Sequence, residues 1–283
     1  MNSMRSIVLG LFVLSLELLA PASARAQFGQ VPFSDPATGE TYHIEFSGAF
    51  WYPTPELIVA SESLGIAGSS INAVTDLGIA KKRINELRIV LRPARKHKFR
   101  LHYVPISYTA DTRLIRSVVF NGLTFPINIP VTTTFDWKSV KLGYEYDFVY
   151  RDRGYAGFFT DIKFTDVRVE LDSPVARCRQ GTELIPCFAR AQAPIPAIGG
   201  VGRVYVVPNI SVTFELTGMK IPESINKDFK AHYFDFDLYG TVNFNDYVGA
   251  QLGYRSLDLG YLVKKDNGTL KMKGLYFGGV VRY

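Results

Sequence analysis

Asp235 and Asp237 are separated by one residue, so on an extended strand both carboxylates project from one face, close enough to share general acid and general base roles. Little in the sequence completes such a site. The four histidines read His43-Ile44-Glu45, His97-Lys98-Phe99, His102-Tyr103-Val104 and His232-Tyr233-Phe234, and His232 falls on the opposite phase of the strand that carries the two aspartates. There is no Gly-x-Ser-x-Gly nucleophile elbow. Gly199, Gly200 and Gly202 precede Arg203 without the Lys-Ser/Thr and helix of a phosphate loop, so they read as glycines that let a strand bend. Two cysteines and four histidines exclude a zinc cluster and a disulfide-framework fold, and neither a metal nor a cofactor is expected. Cys178 and Cys187, with eight residues between them, are expected to pair in an oxidising compartment. Arg177, Arg179 and Arg190 beside Leu184, Ile185, Pro186 and Phe188 form either a grip for lipopolysaccharide phosphates or an ordinary solvated loop.

The elements that carry these residues are strands. Alternation of period two runs through most of the chain after residue 40. Val140, Leu142, Tyr144, Tyr146, Phe148 and Tyr150 share one face, against Ser139, Lys141, Gly143, Glu145 and Asp147. Phe234, Phe236, Leu238, Gly240 and Val242 likewise oppose Asp235, Asp237, Tyr239, Thr241 and Asn243. Tyr42, Ile44, Phe46, Gly48, Phe50 and Tyr52 form a third such face. About ten runs (41–53, 81–93, 98–113, 131–150, 155–171, 194–207, 211–221, 229–245, 247–264 and 269–283) mostly exceed the five or six residues of a sandwich strand and suit tilted membrane crossings. Tight turns at 94–97, 151–154, 208–209 and 245–246 alternate with longer connections at 54–80, 114–130, 172–193 and 222–228; Lys265 to Gly268 is read as a short outer hairpin. The expectation is an all-β, transmembrane, antiparallel up-and-down barrel of about ten strands over residues 41–283, with twelve or eight as alternatives. Twelve would result if 56–62 and 70–76 added strands.

The inward faces hold Glu45, Glu86, Arg88, Arg92, Arg100, Lys141, Glu145, Asp147, Asp161, Lys163, Arg203, Glu215, Asp235, Asp237 and Arg282. These residues line either a polar conduit or, the favoured reading, a narrow lumen filled by its own side chains with charges neutralised across it. Breaks in the alternation at Pro105, Thr165–Asp166 and Arg255–Leu257 suggest bulges. Trp51, Tyr52, Tyr150, Tyr155, Tyr247 and Tyr283 near strand ends are candidates for interfacial girdles.

Residues 1–26 have the form of a secretory signal peptide, with Arg5, an apolar stretch from Ile7 to Ala20 and an Ala24-Arg25-Ala26 cleavage site; 27–40 would be a periplasmic lead. A net charge of +6, scattered along the chain, excludes a nucleic-acid partner. At the C-terminus Leu275, Phe277, Gly279, Val281 and Tyr283 alternate and close on an aromatic residue. This series, with the strand and turn pattern, resembles the Gram-negative bacterial outer-membrane β-barrel proteins, in which such an ending is the assembly signal. The resemblance implies residence in the cell outer membrane, contact with outer-membrane lipids and lipopolysaccharide, and recognition of the C-terminal strand by the barrel-assembly machinery. The ten-stranded omptin proteases of that group use carboxylates and a histidine at the outer rim. Asp235 and Asp237 would be the counterpart, but no Asp-x-His follows them, and the His-x-Ser pair of lipid A deacylases is absent. The reading is therefore a non-enzymatic barrel with an envelope role or slow, porin-like passage of small solutes. The alternatives are a rim enzyme, omptin-like or lipid-modifying, and a surface adhesin or receptor acting through the outer loops, including the tip at Phe120-Asn121-Gly122.

Overall fold

The computed structural model describes residues 37–60, 68–180, 182–221, 229–263 and 266–283. The expected signal peptide, residues 1–26, and most of the expected lead fall outside the described residues. In chain order the strands are β1 (Ile44–Trp51), β2 (Thr54–Ala60), β3 (Ile71–Asn72), β4 (Ile84–Ala94), β5 (His97–Arg113), β6 (Val118–Phe120), β7 (Leu123–Phe125) and β8 (Pro130–Arg151). They continue with β9 (Gly154–Asp172), β10 (Cys178–Gln180), β11 (Glu183–Ile185), β12 (Cys187–Val207), β13 (Ile210–Ile221), β14 (Phe229–Asn243), β15 (Val248–Val263) and β16 (Asp266–Arg282). No helix occurs among the described residues. Antiparallel pairing runs β1-β4-β5-β8-β9-β12-β13-β14-β15-β16 and returns to β1, a ring of ten staves that is closed, with no sheet edge, over the half beside the short turns.

The twelve-strand alternative is corrected by how β16 is paired. Its C-terminal half pairs with β1, from Glu45↔Arg282 to Trp51↔Tyr276, and its N-terminal half with β2, from Thr54↔Lys273 to Asn267↔Ala60. Thus β1 and β2 are one stave, interrupted at Tyr52 and Pro53, and among the described residues β3 pairs with β2 alone; β2 and β3 lengthen the wall without widening the ring. Gly274 allows the interruption: a Cβ there would stand 2.3 Å from the Tyr52 carbonyl oxygen. The last hairpin also differs from expectation. Pairing continues to Val263↔Asp266, so Asn267 and Gly268 lie within β16, opposite Leu262 and Tyr261.

Burial alternates along β8 from Pro130 to Asp147 and along all of β9, yet the chemistry of the two faces changes places partway up. On β8 the inward residues Ser139, Lys141, Glu145 and Asp147 give way to Phe135 and Trp137, while outward Leu142 and Phe148 give way to Asp136 and Lys138. On β9 inward Asp161 and Lys163 give way to Val167, Val169 and Leu171, and outward Phe158, Ile162 and Phe164 to Asp166, Arg168 and Glu170. The half nearer the short turns therefore has an apolar exterior and an ionic interior. The other half is an ordinary water-facing structure with an oily core. Strands of about nine residues in the apolar belt, tilted by roughly 40°, span roughly 23 Å, close to the height of a barrel's apolar band.

This exchange explains the bulges that the sequence suggests but the structure lacks. Register is continuous through Pro105, through Thr165–Asp166 and through Arg255–Leu257. The apolar residues there moved to the inner face because the solvent outside changed, not because the phase slipped. Register shifts occur instead at Leu91/Ala94, Asp147/Val149 and Tyr205/Val207, beside the short turns. Three of the girdle candidates also point inward: Trp51 and Tyr155 are buried inside the barrel and half-buried Tyr150 packs with Tyr155 beneath Arg92, whereas Tyr52, Tyr247 and Tyr283 are on the exterior. Tyr42 leaves the face expected for it and is buried against Arg92 and Arg282.

The oily half is sealed at its mouth. The β6–β7 hairpin turns at Asn121 and Gly122, with φ of 50° and 77° as a tight two-residue hairpin requires, and inserts Val118, Phe120 and Phe125 into the core with Phe135, Leu171 and Ile71. Cys178 and Cys187 form a disulfide, with Cα atoms 5.0 Å apart, at the base of the β10–β11 hairpin. Asn121 Nδ2 donates to the Phe188 carbonyl at 3.2 Å and so ties the β6–β7 hairpin to the start of β12, beside the disulfide. Replacing Phe120 by Ala should cost about 3–5 kcal/mol; protease added to intact cells should then cut within 114–129 in the variant and leave the parent intact.

Candidate functional site

The ionic half of the interior is the dominant polar assembly, and all of its charged members but Glu40 arrive from inward positions of the staves. Arg255 on β15 lies in register with Asp237 and binds Asp235 with two parallel contacts, Nε to Oδ1 at 2.9 Å and Nη2 to Oδ2 at 2.7 Å. Its Nη1 reaches Glu86 at 3.0 Å, and His102 Nε2 meets the same carboxylate at 3.1 Å. Arg88 bridges Asp237 at 2.9 Å and Glu215 at 3.3 Å, and Glu215 also pairs with Arg100. Arg100 contacts Glu145 at 2.9 Å, and Lys98 joins Glu145 at 2.7 Å to Asp147 at 2.9 Å. Lys141 lies 3.6 Å from Asp161. Lys163 sits over aromatic rings, 4.5 Å from Trp137 and 4.1 Å from Tyr233. At the end beside the short turns Arg282 holds Glu45 at 2.6 Å.

The fifteen inward charged residues of the sequence lie in this assembly: Glu45, Glu86, Arg88, Arg92, Arg100, Lys141, Glu145, Asp147, Asp161, Lys163, Arg203, Glu215, Asp235, Asp237 and Arg282. Three further members, Glu40, Lys98 and Arg255, escape sequence reasoning. Lys98 stands two residues before Arg100 on one face, a signal available in the alternation. Arg255 was hidden by the supposed bulge. Glu40 belongs to the lead, whose last residues turn into the barrel: Arg203 reaches its carboxylate at 3.3 Å and Tyr205 donates to it at 2.8 Å. Gly39 N–H donates to Asp246 at 2.8 Å and Thr38 N–H to the Pro208 carbonyl at 2.8 Å, so residues 38–42 cross the short-turn end.

With these included, Glu40, Glu45, Glu86, Glu145, Asp147, Asp161, Glu215, Asp235 and Asp237 give nine acidic groups, and Arg88, Arg92, Lys98, Arg100, Lys141, Lys163, Arg203, Arg255 and Arg282 give nine basic ones. The formal balance is zero. It is also dry: Lys98 is 1% exposed, Asp147 0% and Arg282 3%, whereas a water-filled bore would wet such groups.

Asp235 and Asp237 are drawn into this assembly and away from the rim. Both oxygens of Asp235 are bound by Arg255, with Tyr233 Oη donating as well at 2.7 Å; those of Asp237 accept from Arg88 and, at 2.8 Å, Tyr276. Neither carboxylate keeps an oxygen unengaged for a substrate proton. His232 points outward and pairs with Asp258 at 3.1 Å. No group of metal-ligating side chains occurs among the described residues. In the lobe beyond the belt, Arg177 and Asp172 form an exposed pair at 3.1 Å. Arg190 donates twice to Asp166, at 2.8 and 2.7 Å, which lowers that carboxyl to about 2. The five alternating C-terminal residues, Leu275 to Tyr283, face outward on β16.

These features define the fold of an outer-membrane β-barrel. The outer membrane protease OmpT from Escherichia coli superposes with a TM-score of 0.54 at 6% identity, covering 88% of this chain and 99% of that one. Ail of Yersinia pestis (TM-score 0.37, 9% identity, 85% and 99% covered) and the Pseudomonas putida toluene transporter TodX (0.37, 9%, 88% and 92%) are more distant and carry no argument. Neither a family model nor a curated protein matches the sequence.

Truncating Glu145 or Arg203 to Ala strands a buried partner and should destabilise the folded barrel by about 3–5 kcal/mol. Arg177→Ala should change stability by less than about 1 kcal/mol, as exposed pairs do. Heat-modifiable electrophoretic mobility against temperature reads both; equal midpoints for all three variants would refute the assignment.

Proposed function

We propose that this chain is a non-conducting barrel of the cell outer membrane that anchors and presents a folded, disulfide-closed lobe at the cell surface. The observation that carries the reading is closure at three levels. Residues 38–42 cover the short-turn end, the neutral ionic assembly fills the belt, and the β6–β7 hairpin seals the mouth over an oily core. An open channel needs a continuous polar path, and each level interrupts one. Of the roles considered, an envelope or surface-recognition role is favoured over solute passage. The rim-enzyme reading loses its two carboxylates to arginine. The apolar belt supports membrane residence, and the outward C-terminal series supports docking to the barrel-assembly machinery. The superposition on OmpT supports the fold alone; its proteolysis is not transferred.

Purified protein reconstituted into planar bilayers should show no steady conductance, and proteoliposomes should not swell in small sugars. A reproducible unitary conductance that changes on Lys141→Glu would contradict a filled bore.

A further inference from the structure

The wall opens a seam between β12 and β13, as it does between β4 and β5, whose pairing stops at Leu87↔Tyr103. β12 and β13 pair from Val207↔Ile210 only as far as Ile198↔Gly218. Beyond that point β12 continues to Cys187 paired with β9, and β13 continues to Ile221 paired with β14, with no pairing between the two among the described residues. The sequence of β12 builds this edge: Pro194 and Pro196 have no N–H to donate and so suit a strand that has lost its neighbour. Below the seam, on the exterior of the belt, the wall is concave. A groove of about 1150 Å³ is lined by Phe99, Leu142, Ile162, Ile198, Met219 and Phe234. A second cavity of about 290 Å³ lies directly above, between Ile195 on β12 and Ala231 on β14. The larger volume slightly exceeds that of sites for drug-sized ligands, roughly 300–1,000 Å³.

A concave apolar surface within a belt that faces hydrocarbon must be filled by hydrocarbon, so the occupant is an acyl chain. What distinguishes this groove from the rest of the belt is its rim. Lys220 and His232 are in register across β13 and β14 and line its outer edge. His232 is engaged by Asp258, which also meets Lys271 at 3.5 Å, while Lys220 has no ion-pair partner among the described residues. An unpaired ammonium beside an apolar groove at the level of the polar boundary complements a lipid phosphate.

We propose that the groove at the β12–β13 seam is a binding site for a phosphate-bearing anionic lipid, its acyl chain against Ile198 and Phe234 and its headgroup at Lys220.

The test is native mass spectrometry of the full-length, delipidated protein in detergent, offered dipalmitoylphosphatidylglycerol or dipalmitoylphosphatidylcholine, which share their chains and differ in headgroup charge. The phosphatidylglycerol should be retained at fivefold or greater occupancy, and Lys220→Glu should bring it down to the phosphatidylcholine level. Gly218→Phe fills the groove without disturbing the wall, since a Cβ there meets only the Tyr233 carbonyl oxygen at 3.7 Å. It should abolish retention of both lipids. Ile198→Trp, from a side chain 71% exposed, does the same work if the first variant does not fold, as judged by heat-modifiable mobility. Inorganic phosphate alone should displace neither lipid. Equal retention of the two lipids, parent-level retention in the folded groove-filled variants, no effect of Lys220→Glu, or displacement by inorganic phosphate would each overturn the proposal.

Discussion

A charge on the wall of a barrel in hydrocarbon cannot face outward, and one that faces inward in a narrow bore has almost no water to meet it. Both exits being costly, ionic groups in the belt must be neutralised by one another. Nine acids and nine bases, all but Glu40 on the ten staves, satisfy that condition, and most of the rest follows from it. Strand register is fixed because a slip of β14 by one residue would turn both Asp235 and Asp237 into lipid. The lead is pulled into the barrel because Arg203 lacks a carboxylate until Glu40 supplies one. Replacing such an assembly by apolar residues can be neutral or stabilising in soluble proteins, so its value here need not be stability. In a closed ring it specifies which staves are neighbours.

The same constraint sets the limit of the belt. Above Ser139 on β8 and Thr165 on β9 the ionic interior ends and polar residues move to the exterior. The chain has solved two opposite solvation problems with one uninterrupted alternation. Nothing in the backbone marks the boundary.

Much of this was legible in the sequence. The ten staves were readable because each is long and strictly alternating, and the hairpin tip at Asn121-Gly122 because only a few residue pairs tolerate its backbone. Paired cysteines were readable from compartment and spacing. What was not legible has one physical origin. Sequence patterning reports which face is apolar, and that equals the inward or outward face only where the solvent outside is known. Where water replaces lipid, at Pro105, Thr165 and Leu257, that equation reverses sign and mimics a bulge. The same substitution concealed Arg255. Trp51 and Tyr155, aromatic and near strand ends, invited a girdle reading although their phase is inward. Glu40 and the β1–β2 stave depend on contacts between residues more than a hundred positions apart, such as Glu40 with Arg203 and Thr54 with Lys273, and no local pattern encodes them.

The central claim is that the ionic interior is dry as well as neutral. It is tested most directly by thiol accessibility in the folded, membrane-reconstituted protein. The native cysteines are both consumed in the disulfide, so a single introduced thiol is the only reactive one. Thr213→Cys, at a buried position beside Arg203, is compared with Thr109→Cys on the exposed face of β5. With a charged methanethiosulfonate reagent, the account predicts rapid labelling of the second and none of the first until the barrel is heat-denatured. Labelling of the Thr213→Cys protein at the rate of the exposed control would show water in the bore and contradict it.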